Sequence, residues 1–131
     1  MLTVKDWLIG VKGDLYYRER LDDFLRFGRT DSNFDIDNVR YVFYLCGYNV
    51  QDKDIFYMRR MYSRVVKKLN EPLDLEKIKS YRHLRRYCMI LDESFGTSVY
   101  NKYSALMDAT YFLSAKERLD LAVSLIKCEC F

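Results

Sequence analysis

The stretch Asp74-Leu75-Glu76-Lys77-Ile78-Lys79-Ser80-Tyr81-Arg82-His83-Leu84-Arg85-Arg86-Tyr87-Cys88-Met89-Ile90-Leu91, then a break at Ser94-Phe95-Gly96-Thr97 and a second helical run to Leu113, decides how this chain is read. On a helical wheel Tyr81, Leu84, Cys88 and Leu91 share one face, and Lys79, Arg82, His83 and Arg86 lie opposite. Tyr87 to Leu91 is apolar all round, the pattern of a helix half that runs inside a domain. The spacing predicts a central helix around residues 74–92, capped by Asp74, with helical neighbours packing on it from both sequence directions.

Working outward, the whole chain reads as all-α. Its 131 residues fit one domain over residues 1–131, long enough to bury a real core. One Pro and five Gly are few breakers for a many-turned β fold, and β-branched runs of period two are absent. The spacing predicts a first helix over residues 3–11, with Val4, Trp7, Leu8 and Val11 as its stripe and Thr3 capping with Asp6. A second runs from about Asp14 to Phe27, stopped by Gly28, with Tyr17, Leu21, Phe24 and Leu25 inward; a polar, mobile loop at residues 29–33 follows. The third, about Asp35 to Cys46, buries Ile36, Val39, Val42, Phe43 and Cys46, keeps Tyr41 and Tyr44 on its flank, and closes at Gly47. The fourth, about Asp52 to Leu69, buries Ile55, Met58, Tyr62, Val65, Val66 and Leu69 under Arg59, Arg60, Arg64, Lys67 and Lys68, and Pro72 stops it. After the central helix, a sixth places Val99, Tyr103, Leu106, Thr110 and Leu113 on one face. Ser114-Ala115-Lys116-Glu117 is a capping box that opens a seventh, with Leu119, Ala122, Val123 and Ile126 inside.

Charge is uneven along the chain. Residues 53–86 carry 11 Lys/Arg against 4 Asp/Glu, a net of +7, whereas each flank is −2. The plain meaning is basic helix faces solvated in the middle of the chain; the sharper one is an anionic partner, protein or nucleic acid. Twelve Tyr and eight Phe fall largely on core stripes or their borders. Aromatics among basic residues can stack bases, but Tyr is also favoured at protein interfaces, because it offers rigid area with a polar tip.

No catalytic signature is found. A Ser or Cys nucleophile needs a base and a group orienting it, and the one histidine, His83, lies on a solvated basic stripe. Asp22-Asp23 and Asp92-Glu93 are adjacent pairs at helix surfaces or ends, and adjacent side chains on a helix diverge by about 100°. Phe95-Gly96-Thr97 is a lone turn, not a phosphate loop. Cys46 and Cys88 read as small buried hydrophobes, and Cys128-Glu129-Cys130 is too tight for a zinc knuckle. The expectation is therefore a non-enzymatic chain with no cofactor and no metal. A signal peptide is not expected, since Lys5-Asp6 stands where an apolar core should be, and apolar runs of about five residues span no membrane. A reducing, intracellular setting is the expectation.

The order of elements carries a resemblance. Leu69-Asn70-Glu71-Pro72, Ile78, Cys88, Tyr103-Ser104-Ala105-Leu106-Met107-Asp108 and Leu119-Asp120-Leu121-Ala122-Val123-Ser124-Leu125-Ile126 are similar in spacing to the last three helices of the poxvirus Bcl-2-like proteins. The likeness covers residues 69–126; the N-terminal half is similar only in helix count and around Tyr16-Tyr17. The resemblance implies a compact bundle of about seven helices, Bcl-2-like, in a virus-encoded inhibitor acting in the host cytoplasm by protein–protein binding. Its targets would be pro-apoptotic helices or components of NF-κB signalling, in the host's cell-death or innate immune pathways. The Asn-Trp-Gly-Arg motif that opens the groove of cellular Bcl-2 proteins is missing; Ser94-Phe95-Gly96-Thr97 is the nearest echo and lacks the Arg. No C-terminal anchor is read after Ile126. Both departures count against groove-type binding, and viral members without a working groove block innate immune signalling instead.

A groove or helical face would take a partner's amphipathic helix, with energy concentrated in a few aromatic and Arg residues; Tyr41, Tyr44, Arg59, Arg60 and Phe95 are the partner-binding candidates. Family members form homodimers through their first and sixth helices, which points to Trp7, Tyr100 and Tyr103 as a dimer face, unless these are ordinary core residues. Two alternatives stay open. Arg118-Leu119-Asp120-Leu121 and Val42-Phe43-Tyr44-Leu45-Cys46 resemble elements of death-effector domains, which are shorter and have six helices. The basic middle also suits a nucleic-acid-binding module using Arg59, Arg60, Arg82 and Arg86.

Overall fold

Local capping starts most of the helices where the sequence puts them. The structure, a computed structural model, describes residues 2–9, 23, 36–50 and 54–128. Among the described residues there are six α-helices, one 3₁₀ turn and no strand, so the chain is all-α. The helices are α1 (Val4–Ile9), α2 (Ile36–Leu45), α3 (Ile55–Lys68), α4 (Tyr81–Phe95), α5 (Val99–Ala109) and α6 (Ala115–Lys127); the 3₁₀ turn is Leu75–Lys77. Apart from Asp23, the expected helix over residues 14–27 and the loop at 29–33 lie outside the described residues, as do Val11 and the side chains of Ile36 and Ile55. The chain divides into two compact units, Met1–Leu73 and Asp74–Phe131.

In the first unit, α1 opens with the expected reciprocal cap. The Thr3 N–H donates to Asp6 Oδ2 at 2.8 Å and the Asp6 N–H to Thr3 Oγ1 at 3.3 Å. The first turn of α1 has further donors to satisfy, and carbonyls just past the C-terminus of α3 accept them: Lys5 N–H to Leu69 O at 2.8 Å and Val4 N–H to Glu71 O at 3.2 Å. The positive end of one helix thus meets carbonyls at the negative end of another. Leu73 N–H closes the loop onto Leu2 O at 2.9 Å. Helices α1 and α2 pack together, and Val4, Trp7, Leu8, Val39, Val42, Phe43 and Cys46 are buried as their spacing predicts. Leu45 is buried too. Gly47 stands at φ 92°, a backbone that favours glycine, and ends α2. Helix α3 starts at an Asp54 cap, whose carboxylate accepts the Tyr57 N–H. Met58 and Val65 are buried, but Val66, expected inside, is 43% exposed. It lies about 100° beyond Val65 on the wheel, past the edge of the packed stripe.

In the second unit, the continuous helix expected around 74–92 is not formed. Asp74 caps only the 3₁₀ turn, accepting the Glu76 N–H; Ile78 is extended, and α4 begins at Ser80, which accepts the His83 N–H. The reason is burial. Leu75 and Leu84 are nine residues apart and would stand on opposite sides of one helix, about 180° apart. The break lets both be buried, with Ile78 between them. The apolar run from Tyr87 to Leu91 is likewise not enclosed all round: Tyr87, Cys88 and Ile90 are buried, but Met89 is 43% exposed. Helix α4 ends at Gly96, whose φ of 66° takes the left-handed cap. Helix α5 stops at Ala109, not Leu113, so Tyr111 and Phe112 sit in a turn before Ser114, and α6 then opens with its expected Ser114–Glu117 box. Helices α4 and α5 pack together, α5 packs on α6, and α6 also covers the 3₁₀ turn, where Lys127 pairs with Glu76.

Candidate functional site

The sequence-predicted residues fall into a separate set in each unit. In the first, α1 and α2 bring three aromatic rings into a ladder. Trp7 lies 5.1 Å from Tyr41, and Tyr41 lies 5.4 Å from Tyr44, both pairs tilted. The ladder runs outward: Trp7 is 1% exposed, Tyr41 is half-buried, and Tyr44 is 37% exposed. Burial pushes the Tyr41 phenol well above its ordinary value, and the neighbouring Tyr44 adds to the rise. Tyr41 is therefore a neutral phenol at physiological pH, and Tyr44 is the most exposed rung. Trp7 spends its ring inside the fold and has almost no surface to give a dimer face.

Arg59 and Arg60 are exposed on α3. Each packs on a ring one helical turn earlier, Arg59 over Phe56 at 5.9 Å and Arg60 over Tyr57 at 5.9 Å. Lys68 turns the other way, donating to Cys46 O at 3.1 Å with its ammonium 5.0 Å from the Tyr48 ring centre. Phe56, 74% exposed, was not among the residues expected to bind. It was legible, because it stands about 160° from Met58 on the wheel.

In the second unit, Phe95 is 52% exposed in the last turn of α4. Tyr100 is half-buried with the Arg85 guanidinium 5.8 Å over its ring, while Tyr103 is 5% exposed and belongs to the core. Burial raises the Tyr103 phenol, as do Cys88 and Tyr81, against the pull of Arg118 and Arg85. Arg118, in the segment that resembles a death-effector element, is tied inward: it donates to Met107 O at 2.5 Å and lies 5.5 Å over Tyr81, whose hydroxyl donates to Ala115 O at 2.8 Å. Tyr111 and Phe112 are 79% and 71% exposed and meet edge to face at 5.9 Å. Reading α5 through to Leu113 hid them; the Ser114 cap, which needs a non-helical residue before it, was the available signal.

The reactive groups are quiet. Burial, then Asp92, pushes the Cys88 thiol up to about 12, outweighing its backbone hydrogen bond, so it carries almost no thiolate near neutral pH. His83 is held below its ordinary value by burial, then Arg82 and Arg86, with Ser80 Oγ 2.9 Å from Nδ1. Asp92 is engaged three times: Thr97 Oγ1 donates at 2.6 Å, Val99 N–H at 2.7 Å and Tyr100 N–H at 3.0 Å. It is the real cap of α5, since Ser98, at the capping position, makes no side-chain cap bond. Among the described residues no group of three or more His, Cys, Asp or Glu converges as metal ligands, and no helix is long and apolar enough to cross a membrane. No family model, no curated protein and no solved structure matches this chain.

Proposed function

We propose that this chain is a virus-encoded, Bcl-2-like inhibitor of host innate immune or cell-death signalling that acts in the cytoplasm by occupying a partner protein. The observation that carries the reading is the set of large aromatics left outside an all-helical fold: Tyr44, Phe56, Phe95, Tyr111 and Phe112. Exposed rings cost solvation unless a partner covers them, and aromatic and Arg side chains dominate interface energetics. The spacing of Leu69 to Pro72, Tyr103 to Asp108 and Leu119 to Ile126 supplies the family half of the argument. The seven-helix, single-domain bundle belongs to this proposal, as does the choice of Tyr41, Tyr44, Arg59, Arg60 and Phe95 as partner-binding residues. A homodimer would use Tyr100, the one member of its expected trio with substantial exposed area; Trp7 and Tyr103 are each buried in their own unit.

The missing Arg after Gly96 favours the NF-κB output over capture of pro-death helices. A calorimetric panel of Bcl-2-homology-3 peptides, run beside an NF-κB reporter in transfected cells, tests this. The expected result is no binding across the panel together with suppression of the reporter. Micromolar or tighter peptide binding moves the chain to the anti-apoptotic branch; silence in both assays overturns the reading.

A further inference from the structure

Helix α3 has an outer face of which the reading above uses only Phe56, Arg59 and Arg60. Its sequence from Ile55 to Lys68 holds Arg59, Arg60, Arg64, Lys67 and Lys68 and no acidic residue. Across residues 53–70 there are 6 Lys/Arg against one acid, Asp54, whose carboxylate is engaged in the helix cap. With Phe56 set at zero and about 100° per residue, Lys67 falls near 20°, Arg60 near 40° and Arg64 near 80°, with Arg59 near −60° on the other flank. All five of these side chains are exposed, and the buried Met58 and Val65 fall near 200° and 180° on the reverse. The most exposed apolar side chain among the described residues of the helix therefore sits at the centre of a cationic arc.

We propose that this face docks on an anionic phospholipid bilayer, with Phe56 at headgroup level and Arg60, Arg64 and Lys67 on the lipid phosphates. Charge complementarity selects an anionic occupant. The shape of the face selects a flat one. A single convex helix can be touched along one line by a plane, and Phe56 and Lys67 lie on nearly the same line about 16 Å apart. The outer strip of this helix, about 21 Å long and about 10 Å wide, is far short of the roughly 800 Å² per partner of a stable protein interface. A nucleic-acid backbone would satisfy the cations but would leave Phe56 at the centre, and Val66 at 43% exposure on the edge, facing phosphate. The bilayer interface takes both kinds of group, since aromatic rings settle at headgroup depth while basic side chains reach the phosphates. This is peripheral attachment and is compatible with the described helices, none of which is long and apolar enough to cross a bilayer.

The test is co-sedimentation of the full chain with vesicles of phosphatidylcholine containing about 30% phosphatidylserine, against phosphatidylcholine alone, at about 0.1 M salt. Each interfacial cation contributes about fivefold in partitioning, so the Arg60→Gln/Arg64→Gln/Lys67→Gln variant should bind the anionic vesicles about 100-fold more weakly. Phe56→Ser should weaken binding about tenfold while leaving its salt dependence unchanged. Lys116→Gln, an exposed change on α6, should bind as the parent does. Circular dichroism of each variant confirms that the helices persist. Equal binding to both vesicle types, or unchanged binding by the triple variant, overturns the proposal. So does failure to bind vesicles alongside binding of a labelled oligonucleotide that the triple variant loses; that result assigns the face to nucleic acid. The two readings share Phe56, Arg59 and Arg60, but the peptide panel and reporter read protein partners and the sedimentation reads lipid, so failure of one is distinguishable from failure of the other.

Discussion

Replacing Asp92 by Ala should destabilise the protein by about 2–3 kcal/mol, although it creates no cavity and Asp92 is only half-buried. One carboxylate accepts the Val99 N–H at 2.7 Å, the Tyr100 N–H at 3.0 Å and the Thr97 hydroxyl at 2.6 Å. Losing an Asp cap costs about 0.5–2 kcal/mol in general, and a hydrogen bond to a charged group is worth about 1.5–3 kcal/mol. The Thr97 hydroxyl is exposed and water can replace its bond, so it adds little. The two amides at the start of α5 are less accessible, and their loss sets the total. Asp92→Asn keeps one acceptor oxygen and should recover about half of the loss. Ser98→Ala should change stability by less than about 0.5 kcal/mol, because its hydroxyl makes no cap bond. Urea denaturation of the three variants at unchanged m-value measures the series. Amide exchange should quicken at Val99 and Tyr100 in Asp92→Ala and not in Ser98→Ala. If Ser98→Ala proves the costlier change, or if Ala and Asn at position 92 are equal, the capping assignment is wrong.

Two further outcomes follow from burial of titratable groups. Cys88 should resist alkylation in the native state at pH 8 and react on unfolding. With its folded value pushed up to about 12 from an ordinary 9.0, its contribution to stability is complete below about pH 9 and is lost as pH rises toward 12. An alkaline unfolding series on the parent and Cys88→Ala checks this, the variant showing a shallower loss across that window. His83 runs the other way. Its folded value lies below the ordinary 6.5, so its contribution is present above that pH and declines as pH falls through the folded value. Titration of the single imidazole by NMR should give a midpoint below 6.5, and His83→Gln should flatten the loss of stability as pH falls below 6.5. A midpoint at or above 6.5 would refute the burial argument.

The expected binding residues were legible to different depths. Arg59, Arg60, Tyr44 and Phe95 are polar or terminal positions of helices, and their exposure follows from the wheel alone. Trp7 and Tyr103 fall on the apolar stripes of their helices, so their burial was legible from spacing even though the resemblance pointed to them as a dimer face. Trp7 meets Tyr41 across 34 residues of chain, and no local pattern reports that the two rings stack. Phe56 could have been found from the phase of Met58, whereas Tyr111 and Phe112 depended on where α5 stops.

By itself the sequence determined that the chain is helical and where several helices begin. Thr3 with Asp6, Ser114 with Glu117, and Gly47 act over three residues or fewer, so the chemistry that caps or ends a helix is visible in the adjacent letters. The tertiary structure decided the break at Ile78, because burying Leu75 and Leu84 together outweighs the backbone bonds of a continuous helix. It also decided that Asp92, seven and eight residues upstream of the amides it serves, does the work that position assigns to Ser98. Both choices depend on which groups meet in space. A helix can lose a turn, or borrow a cap from its neighbour, only once there is a neighbour to pack against.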